Sequence, residues 1–110
     1  MTGFRSNVRA MHVLVWEFRV RAGCEAEFEA AYGSAGPWVA LFAGADGYLG
    51  TELLRDRAAP DRYLTIDRWR DPAAYDRFRA ERAGEYAALD QRCAAWTEAE
   101  AALGALEVVP

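Results

Sequence analysis

Lysine is absent from this chain, histidine occurs once, as His12, and cysteine occurs only twice, as Cys24 and Cys93. The two cysteines lie far apart and outside any C-x-x-C pair, so neither a redox pair nor a metal cluster is indicated. We interpret both as free, reduced, structural thiols. Because no second group of ligating side chains accompanies His12, no metal site is expected.

The chain also lacks a long apolar run, a basic stripe and low-complexity tracts. Hydrophobic residues make up 53 % and charged residues 27 % of the sequence, which excludes disordered, coiled-coil and collagen-like classes. No apolar span of about twenty residues is present, so we expect neither a membrane-spanning helix nor a membrane partner. The net charge is −4, and acidic and basic residues are interspersed along the sequence, so the chain is not expected to bind nucleic acid. The N-terminus shows no apolar signal-peptide core, and cytoplasmic residence is the default expectation.

A length of 110 residues fits one domain built around a single core. Residues 1–11 show no hydrophobic period, and we predict that they form a flexible N-terminal arm. Residues 12–110 make up the predicted domain.

Three segments have the β-branched and aromatic content of strands: His12–Val20, Tyr48–Arg55 and Arg62–Trp69. The first is apolar on both faces, so each face needs a covering layer. Gly50, within the second, predicts either a bulge or a point of close backbone approach. The third alternates, which predicts one face with Tyr63, Thr65, Asp67 and Trp69 and an opposite face with Arg62, Leu64, Ile66 and Arg68.

Helical spacing predicts a helix over Cys24–Tyr32 and a short second helix that begins near Pro37. The pair Asp71-Pro72 predicts the start of a third helix, because Asp is a good N-cap and Pro fits the first helical turn.

A further helix is predicted after Gly84, with an apolar stripe that continues through Trp96, and a last short strand over Leu103–Val109. The order is then β-α-β-β-α-β. This predicts an α+β fold of the ferredoxin-like, split βαβ type, with a four-stranded antiparallel sheet and helices on one face. The other face of the sheet stays open and partly apolar, which favours a homodimer packed through the sheet faces.

The run from Gly47 to Phe78 carries the most information, since the strands GYLGTELLRD and RYLTIDRWRD lead directly into a helix. The second strand ends on Trp69, and Tyr75 follows six residues later. This combination resembles the core of the antibiotic biosynthesis monooxygenase family. The resemblance implies a dimeric α+β barrel, O₂ and a small aromatic molecule as reaction partners, and no metal, flavin or nicotinamide cofactor.

In that family, a Trp at this strand end and a Tyr six residues on line the substrate pocket, which implies that role for Trp69 and Tyr75. The residues alone favour a core position for Trp69, beneath a helix. Quinone-forming members are expected to carry an Asn four residues before the Trp, where this chain has Thr65, which donates one hydrogen bond. Haem-degrading members use a first-strand Asn and a helix His. Here the matching strand position is Trp16 and the only histidine is His12, so haem degradation is not implied.

Asp67 shares a predicted face with Trp69. A carboxylate partly buried there would have a raised pKa and would serve to remove a phenolic proton. The alternative is an ion pair with Arg19 or Arg55 across the sheet.

Further aromatic residues are candidates for a substrate-binding lining, although aromatics at helical spacing are usually core. An Arg on a later helix, Arg82 or Arg79, is a candidate to close the cleft over an anionic or phenolate group, and solvation of the same side chain is the alternative. The predicted substrate-binding residues are Trp16, Tyr32, Trp38, Phe42, Phe78, Arg82 and Tyr86; the predicted catalytic residues are Trp69, Tyr75, Asp67 and Thr65.

The function implied is that of an oxidoreductase, a cofactor-independent monooxygenase that oxidises an electron-rich aromatic or polyketide-like small molecule with O₂. The alternative is a non-catalytic dimeric binding module for an aromatic or hydrophobic ligand. A third possibility, a purely structural dimer, predicts a cleft filled by its own side chains.

Overall fold

Four antiparallel strands form one sheet in a computed structural model that describes residues 11–110. The strands are β1 (His12–Val20), β2 (Tyr48–Arg55), β3 (Arg62–Trp69) and β4 (Thr97–Glu107), in the spatial order β2-β3-β1-β4. The predicted arm over residues 1–11 lies, apart from Met11, outside the described residues. The bounds of the first three strands agree with the sequence prediction, and so does the ferredoxin-like order of elements.

Helices cover one face of this sheet in two pairs. The first pair is α1 (Glu25–Tyr32) and α2 (Pro37–Ala43), and the second is α3 (Pro72–Glu81) and α4 (Ala83–Cys93), with a 3₁₀ turn over Ala94–Trp96. Within residues 11–110, no helix has the length and hydropathy needed to span a bilayer.

The start of α3 shows how the sequence fixes these boundaries. The Asp71 carboxylate accepts a hydrogen bond from the Ala74 N–H at 2.8 Å, and Pro72 occupies the first turn, as predicted. The side-chain oxygen thereby satisfies a backbone donor that a helix N-terminus otherwise leaves without a partner.

The pairing of β1 with β3 decides which side chains face the helices. Trp16 lies opposite Thr65, and Leu14 lies opposite Asp67. Directly paired residues of an antiparallel ladder project to the same face, so these four side chains share the helix side. Burial along β3 alternates strictly, which confirms the predicted division of that strand into two faces.

A bulge in β2 confirms the prediction made from Gly50. Tyr48 pairs with Trp69 and Gly50 pairs with Arg68, so Leu49 is the extra residue. Gly50 has a φ of 144°, which glycine adopts without a steric penalty. Because of the extra residue, Tyr48 and Thr51 both face the helices although they are three positions apart.

The prediction for the last strand was wrong in its extent. It gave Leu103–Val109, whereas β4 begins at Thr97 and ends at Glu107. Trp96, which was predicted to continue a helical stripe, lies in the 3₁₀ turn before β4. The segment TEAEAA has helical propensity, but β1 would otherwise leave one edge of backbone groups without hydrogen-bond partners. Pairing with β1 over the whole length satisfies those groups and overrides the local preference.

The core between sheet and helices is rich in aromatic side chains. Phe28 stacks on Tyr32 with ring centroids 4.2 Å apart and packs against Phe18 at 5.2 Å. Cys24 is half-buried and Cys93 is buried, and both are free thiols, as predicted. The non-glycine residues that expose less than a tenth of their surface are Phe18, Val20, Phe28, Ala31, Tyr32, Trp38, Phe42, Tyr63, Thr65, Asp67, Trp69, Ala74, Phe78, Leu89 and Cys93.

Gly47, in the turn before β2, provides a test of this packing. Its φ is +94°, and a Cβ at this position would lie 2.6 Å from the Ala74 Cβ of α3. A left-handed conformation costs a non-glycine residue about 1–2 kcal/mol, and forced overpacking costs about 1–3 kcal/mol. We expect Gly47→Ala to lower the free energy of unfolding by about 2–5 kcal/mol, the sum of these two costs, in urea denaturation.

Gly84→Ala is the matched control, because a Cβ at Gly84 meets nothing within 4 Å inside α4. That substitution should leave stability unchanged or raise it by up to about 1 kcal/mol. Equal losses for both variants would contradict the packing described for Gly47.

Candidate functional site

A cleft opens between the helix-facing side of the sheet and the helices α1, α2 and α4. It encloses about 390 Å³ of atom-free space, open solvent at its mouth included, and the centres of water molecules can occupy about 30 Å³ of it. A volume of that size holds roughly two water molecules. The lining residues are Trp16, Phe18, Tyr32, Trp38, Phe42, Thr51, Thr65, Asp67, Tyr86, Asp90 and Glu100.

Polar groups from neighbouring strands form one wall of the cleft. The Thr51 hydroxyl donates a hydrogen bond to the Asp67 carboxylate at 2.7 Å, and Thr51 and Tyr48 hydroxyls lie 2.6 Å apart. The β2 bulge creates this chain of three groups, because it turns both Tyr48 and Thr51 to the helix side. Asp67 therefore has one hydrogen-bond donor to its carboxylate among the described side chains.

Burial raises the pKa of Asp67 to about 6, and the hydrogen bond from Thr51 opposes that rise. Asp67 is 7 % exposed and lies in a cleft whose lining is largely aromatic, so its charged form is poorly solvated. The alternative expectation of an ion pair with Arg19 or Arg55 is wrong. Arg19 pairs with Asp61 and Arg55 pairs with Glu29, both at 3.2 Å.

Thr65 is the second predicted catalytic residue that the structure places in the cleft. It is 4 % exposed, faces the helices, and lies opposite Trp16 on β1 and Leu53 on β2. None of the side-chain hydrogen bonds found in residues 11–110 involves its hydroxyl. Its hydroxyl is therefore available to a ligand.

Five of the predicted substrate-binding residues surround these polar groups. Trp38 packs edge-on against Tyr86 with ring centroids 5.0 Å apart, and Tyr32 lies 5.9 Å from Trp38. Burial raises the pKa of both Tyr32 and Tyr86, so each phenol stays protonated at neutral pH and can donate a hydrogen bond. The five are Trp16, Tyr32, Trp38, Phe42 and Tyr86.

Trp69, Tyr75 and Phe78, which were also predicted for the site, do not line the cleft. Trp69 is 0 % exposed and lies behind Phe42, with ring centroids 5.7 Å apart. Tyr75 packs edge-on against Trp69 at 5.4 Å. The buried indole N–H of Trp69 has no acceptor among the described residues. Trp69 thus occupies the core position that the residues alone favoured.

The arginines predicted to close the cleft have other partners. Arg82 pairs with Glu85 at 3.2 Å. The Arg79 guanidinium lies 3.8 Å from the centre of the Tyr86 ring and donates to the Tyr75 hydroxyl at 3.0 Å. No arginine of the described chain lines the cleft.

Sequence reasoning missed four lining residues: Phe18, Thr51, Asp90 and Glu100. The predicted bulge at Gly50 was the signal for Thr51, because a bulge reverses the faces of the residues after it. Glu100 lies in the part of β4, between Trp96 and Leu103, for which the sequence predicted neither helix nor strand. Asp90 is an exposed α4 residue in an unremarkable sequence context, and no local signal marks it.

Metal ligands are not grouped in this part of the chain. Within residues 11–110, no three His, Cys, Asp or Glu side chains come close enough to hold an ion. His12 instead packs its ring against Tyr75 at 5.7 Å.

The fold and the cleft define a small ferredoxin-like α+β protein with an aromatic, carboxyl-bearing site. The sequence model of the family described as antibiotic biosynthesis monooxygenase matches residues 11–88. The chain belongs to the antibiotic biosynthesis monooxygenase family.

Solved structures share this fold. SnoaB, a cofactor-independent oxygenase from Streptomyces nogalater, is 25 % identical with a TM-score of 0.69, over 92 % of this chain and 98 % of its own. A Bordetella bronchiseptica protein of the same family is 24 % identical with a TM-score of 0.74, over 92 % and 99 %. Protein SO0527 from Shewanella oneidensis is 22 % identical with a TM-score of 0.69, over 91 % and 92 %. A comparison with curated proteins gave no match.

The raised pKa of Asp67 makes the stability of the protein depend on pH. Below the ordinary pKa of an Asp, the Asp67 carboxyl is protonated in both the folded and the unfolded state, so its burial has no charge penalty. As pH rises to about 6, the carboxyl ionises first in the unfolded state, and the free energy of unfolding falls by an amount on the order of 3 kcal/mol. We expect Asp67→Asn, which keeps an acceptor for Thr51, to lack this loss.

The measurement is chemical denaturation of wild type and variant at about pH 4 and about pH 7.5, on either side of the titration. The stability advantage of Asp67→Asn should be larger at the higher pH. Asp76→Asn, an exposed change on α3, is the control and should show no such difference. An advantage of the Asn variant that is equal at both values would contradict the raised pKa.

Proposed function

We propose that this protein is a cofactor-independent monooxygenase that oxidises an electron-rich aromatic or polyketide-like molecule with O₂. One observation carries the proposal: a carboxyl group with a pKa of about 6 lies within a cleft walled by aromatic rings. A general base is most effective when its pKa lies near the working pH. The 25 % identity to SnoaB, a cofactor-independent oxygenase, supports the same class.

The first step is proton removal. The Asp67 carboxylate takes the proton of a phenol or enol, and the aromatic walls hold the flat substrate against it. The Thr65 hydroxyl, which has no partner among the described side chains, donates a hydrogen bond to the resulting oxyanion. Preorganised donors of this kind stabilise charge as it develops.

The second step transfers electrons from substrate to O₂. The substrate anion gives one electron to O₂, and the two radicals combine to form a C–O bond. The peroxide takes up the proton held by Asp67. Loss of a second proton from the same carbon then breaks the O–O bond and releases water. A CH₂ group becomes C=O, so one oxygen atom enters the product, the other leaves in water, and the substrate supplies all four electrons.

Substrate entry requires movement of side chains. The space of about 30 Å³ that the cleft leaves open to water is too small for an aromatic ring, so the rings at its mouth must turn outward when a ligand binds. Trp38 and Tyr86, whose rings meet edge-on at 5.0 Å, are the proposed gate because both line the cleft and belong to different helices. In this proposal Trp69 supports Phe42 from behind, and Tyr75 supports Trp69.

Oxygen uptake by the purified, metal-free protein with a panel of hydroquinones, anthrones and polycyclic phenols tests the proposal. We expect uptake above the autoxidation background. Asp67→Asn should lower kcat by about 10²–10⁴-fold, the usual contribution of a general base. Trp69→Phe should lower it far less, because Trp69 does not line the cleft.

The pH profile separates a base from a structural residue. Ionised Asp67 is the active form, so kcat/KM should rise with pH through about 6 and then level off. Asp76→Asn should retain the wild-type rate and profile. Uptake that is unaffected by Asp67→Asn would contradict the mechanism. Binding of the aromatic panel without any uptake would assign the protein as a binding module.

We also propose that the protein is a homodimer through the open sheet face. Val13, Val15, Leu64 and Ile66 form its apolar centre, and they are partly exposed. Ion pairs surround this centre, among them Arg68 with Glu52 at 2.6 Å. An apolar centre with a polar rim is the usual organisation of an interface.

Sedimentation velocity tests this assembly. Wild type should sediment as a dimer, and Ile66→Arg should sediment as a monomer because it places an unpaired charge at the centre of the face. Ala73→Arg, an exposed change on α3 on the other side of the sheet, is the control and should remain dimeric. A dimeric Ile66→Arg variant would rule out this interface.

A further inference from the structure

Among residues 11–110, every ionisable acidic or basic side chain that lines the cleft, apart from the tyrosines, is a carboxyl group. Three carboxyl groups line it: Asp67 inside, and Asp90 and Glu100, which are exposed and therefore lie at the mouth. No basic side chain of the described residues lines it, although the sequence contains 13 arginines. The arginines predicted to reach the cleft are instead engaged with Glu85, Tyr75 and Tyr86.

The two carboxyl groups at the mouth lie close enough to influence each other. Burial, and then the neighbouring Asp90 carboxylate, raise the pKa of Glu100 above its ordinary value. Two like charges facing one opening repel an incoming anion and attract a cation. A cation placed between them would relieve their mutual repulsion.

Aromatic rings also attract cations. A positive charge over the face of a ring is stabilised by the electron density there. The same layer already holds one cation in this way, since the Arg79 guanidinium lies 3.8 Å from the centre of the Tyr86 ring.

Inside the cleft, an independent feature points to a ligand. Thr65 is 4 % exposed and lines the cleft, and none of the side-chain hydrogen bonds of residues 11–110 involves its hydroxyl. The fully buried donor without an acceptor among the described lining residues is the Trp38 indole N–H. Buried polar groups normally have a partner. A polar group of the ligand is therefore expected near Thr65 and Asp67, with the ligand extending from there to the mouth.

We propose that the ligand of this cleft is an aromatic molecule with a hydroxyl group at its inner end and a protonated amine at its outer end, between Asp90 and Glu100. The proposal rests on the function proposed above, because it takes the aromatic cleft as the substrate site. It adds the charge of the substrate: the cleft selects amine-bearing aromatics over their carboxylate analogues.

Three probes of one shape test the charge preference: 2-naphthol, its 6-aminomethyl derivative and its 6-carboxylate. Their dissociation constants are measured by equilibrium dialysis at about pH 7.5, where the amine and the acid are both ionised. We expect the amine to bind at least about tenfold more tightly than the carboxylate, with 2-naphthol between them, and the preference to shrink as salt is added.

Two double variants with the same change in net charge locate the effect. Asp90→Asn/Glu100→Gln should remove most of the preference. Asp76→Asn/Glu81→Gln, which changes two exposed carboxylates of α3 outside the cleft, should keep it. An equal loss in both would mean that net charge rather than the cleft mouth selects the ligand, and would overturn the proposal.

The remaining outcomes separate this inference from the proposed function. Equal binding of all three probes, or tighter binding of the carboxylate, overturns the charge preference and leaves the aromatic site intact. Binding of none of them overturns both proposals. Preferential binding of the amine without oxygen uptake supports the charge preference and contradicts the monooxygenase.

Discussion

The antiparallel pairing of β1 with β3 is the constraint on which the site depends. These are the two central strands, and their register sets Trp16 beside Thr65 and Leu14 beside Asp67 on the face beneath the helices. A slip of one residue would turn all of them to the opposite face, because side chains alternate along a strand. The polar groups and the aromatic walls of the cleft therefore come from one pairing register and the helices that cover it.

That register buries a carboxyl group at a cost to the fold. Among residues 11–110, Asp67 has a hydrogen bond from Thr51 and no ion-pair partner, and the cleft around it is mostly aromatic. The folded protein would be more stable with an uncharged side chain at this position. In the proposed function the same poor solvation is useful, because it gives the carboxylate the affinity for a proton that a base requires. At this position the burial that lowers the stability of the fold also makes the carboxylate a stronger base.

Local patterns predicted the parts of the fold that depend on local chemistry. The first three strands follow from alternation and turn residues, and the start of α3 follows from Asp71 and Pro72. The extent of β4 does not follow from its sequence, because the open edge of β1 decides it. The site shows the same division: Asp67 and Thr65 were identified from strand periodicity, whereas Phe42, from another element, decides that Trp69 is shielded from the cleft.

The bulge in β2 also limits how the gene can change in length. Leu49 is the extra residue, so deletion of its codon would leave Tyr48 and Thr51 in simple alternation, both still facing the helices. Deletion of one codon between Thr51 and Arg55 has no bulge to remove, and it would turn the residues on one side of the deletion to the opposite face. Changes of length in related sequences should therefore concentrate at Leu49 and in the connection between Arg55 and Arg62, and spare the stretch from Thr51 to Arg55.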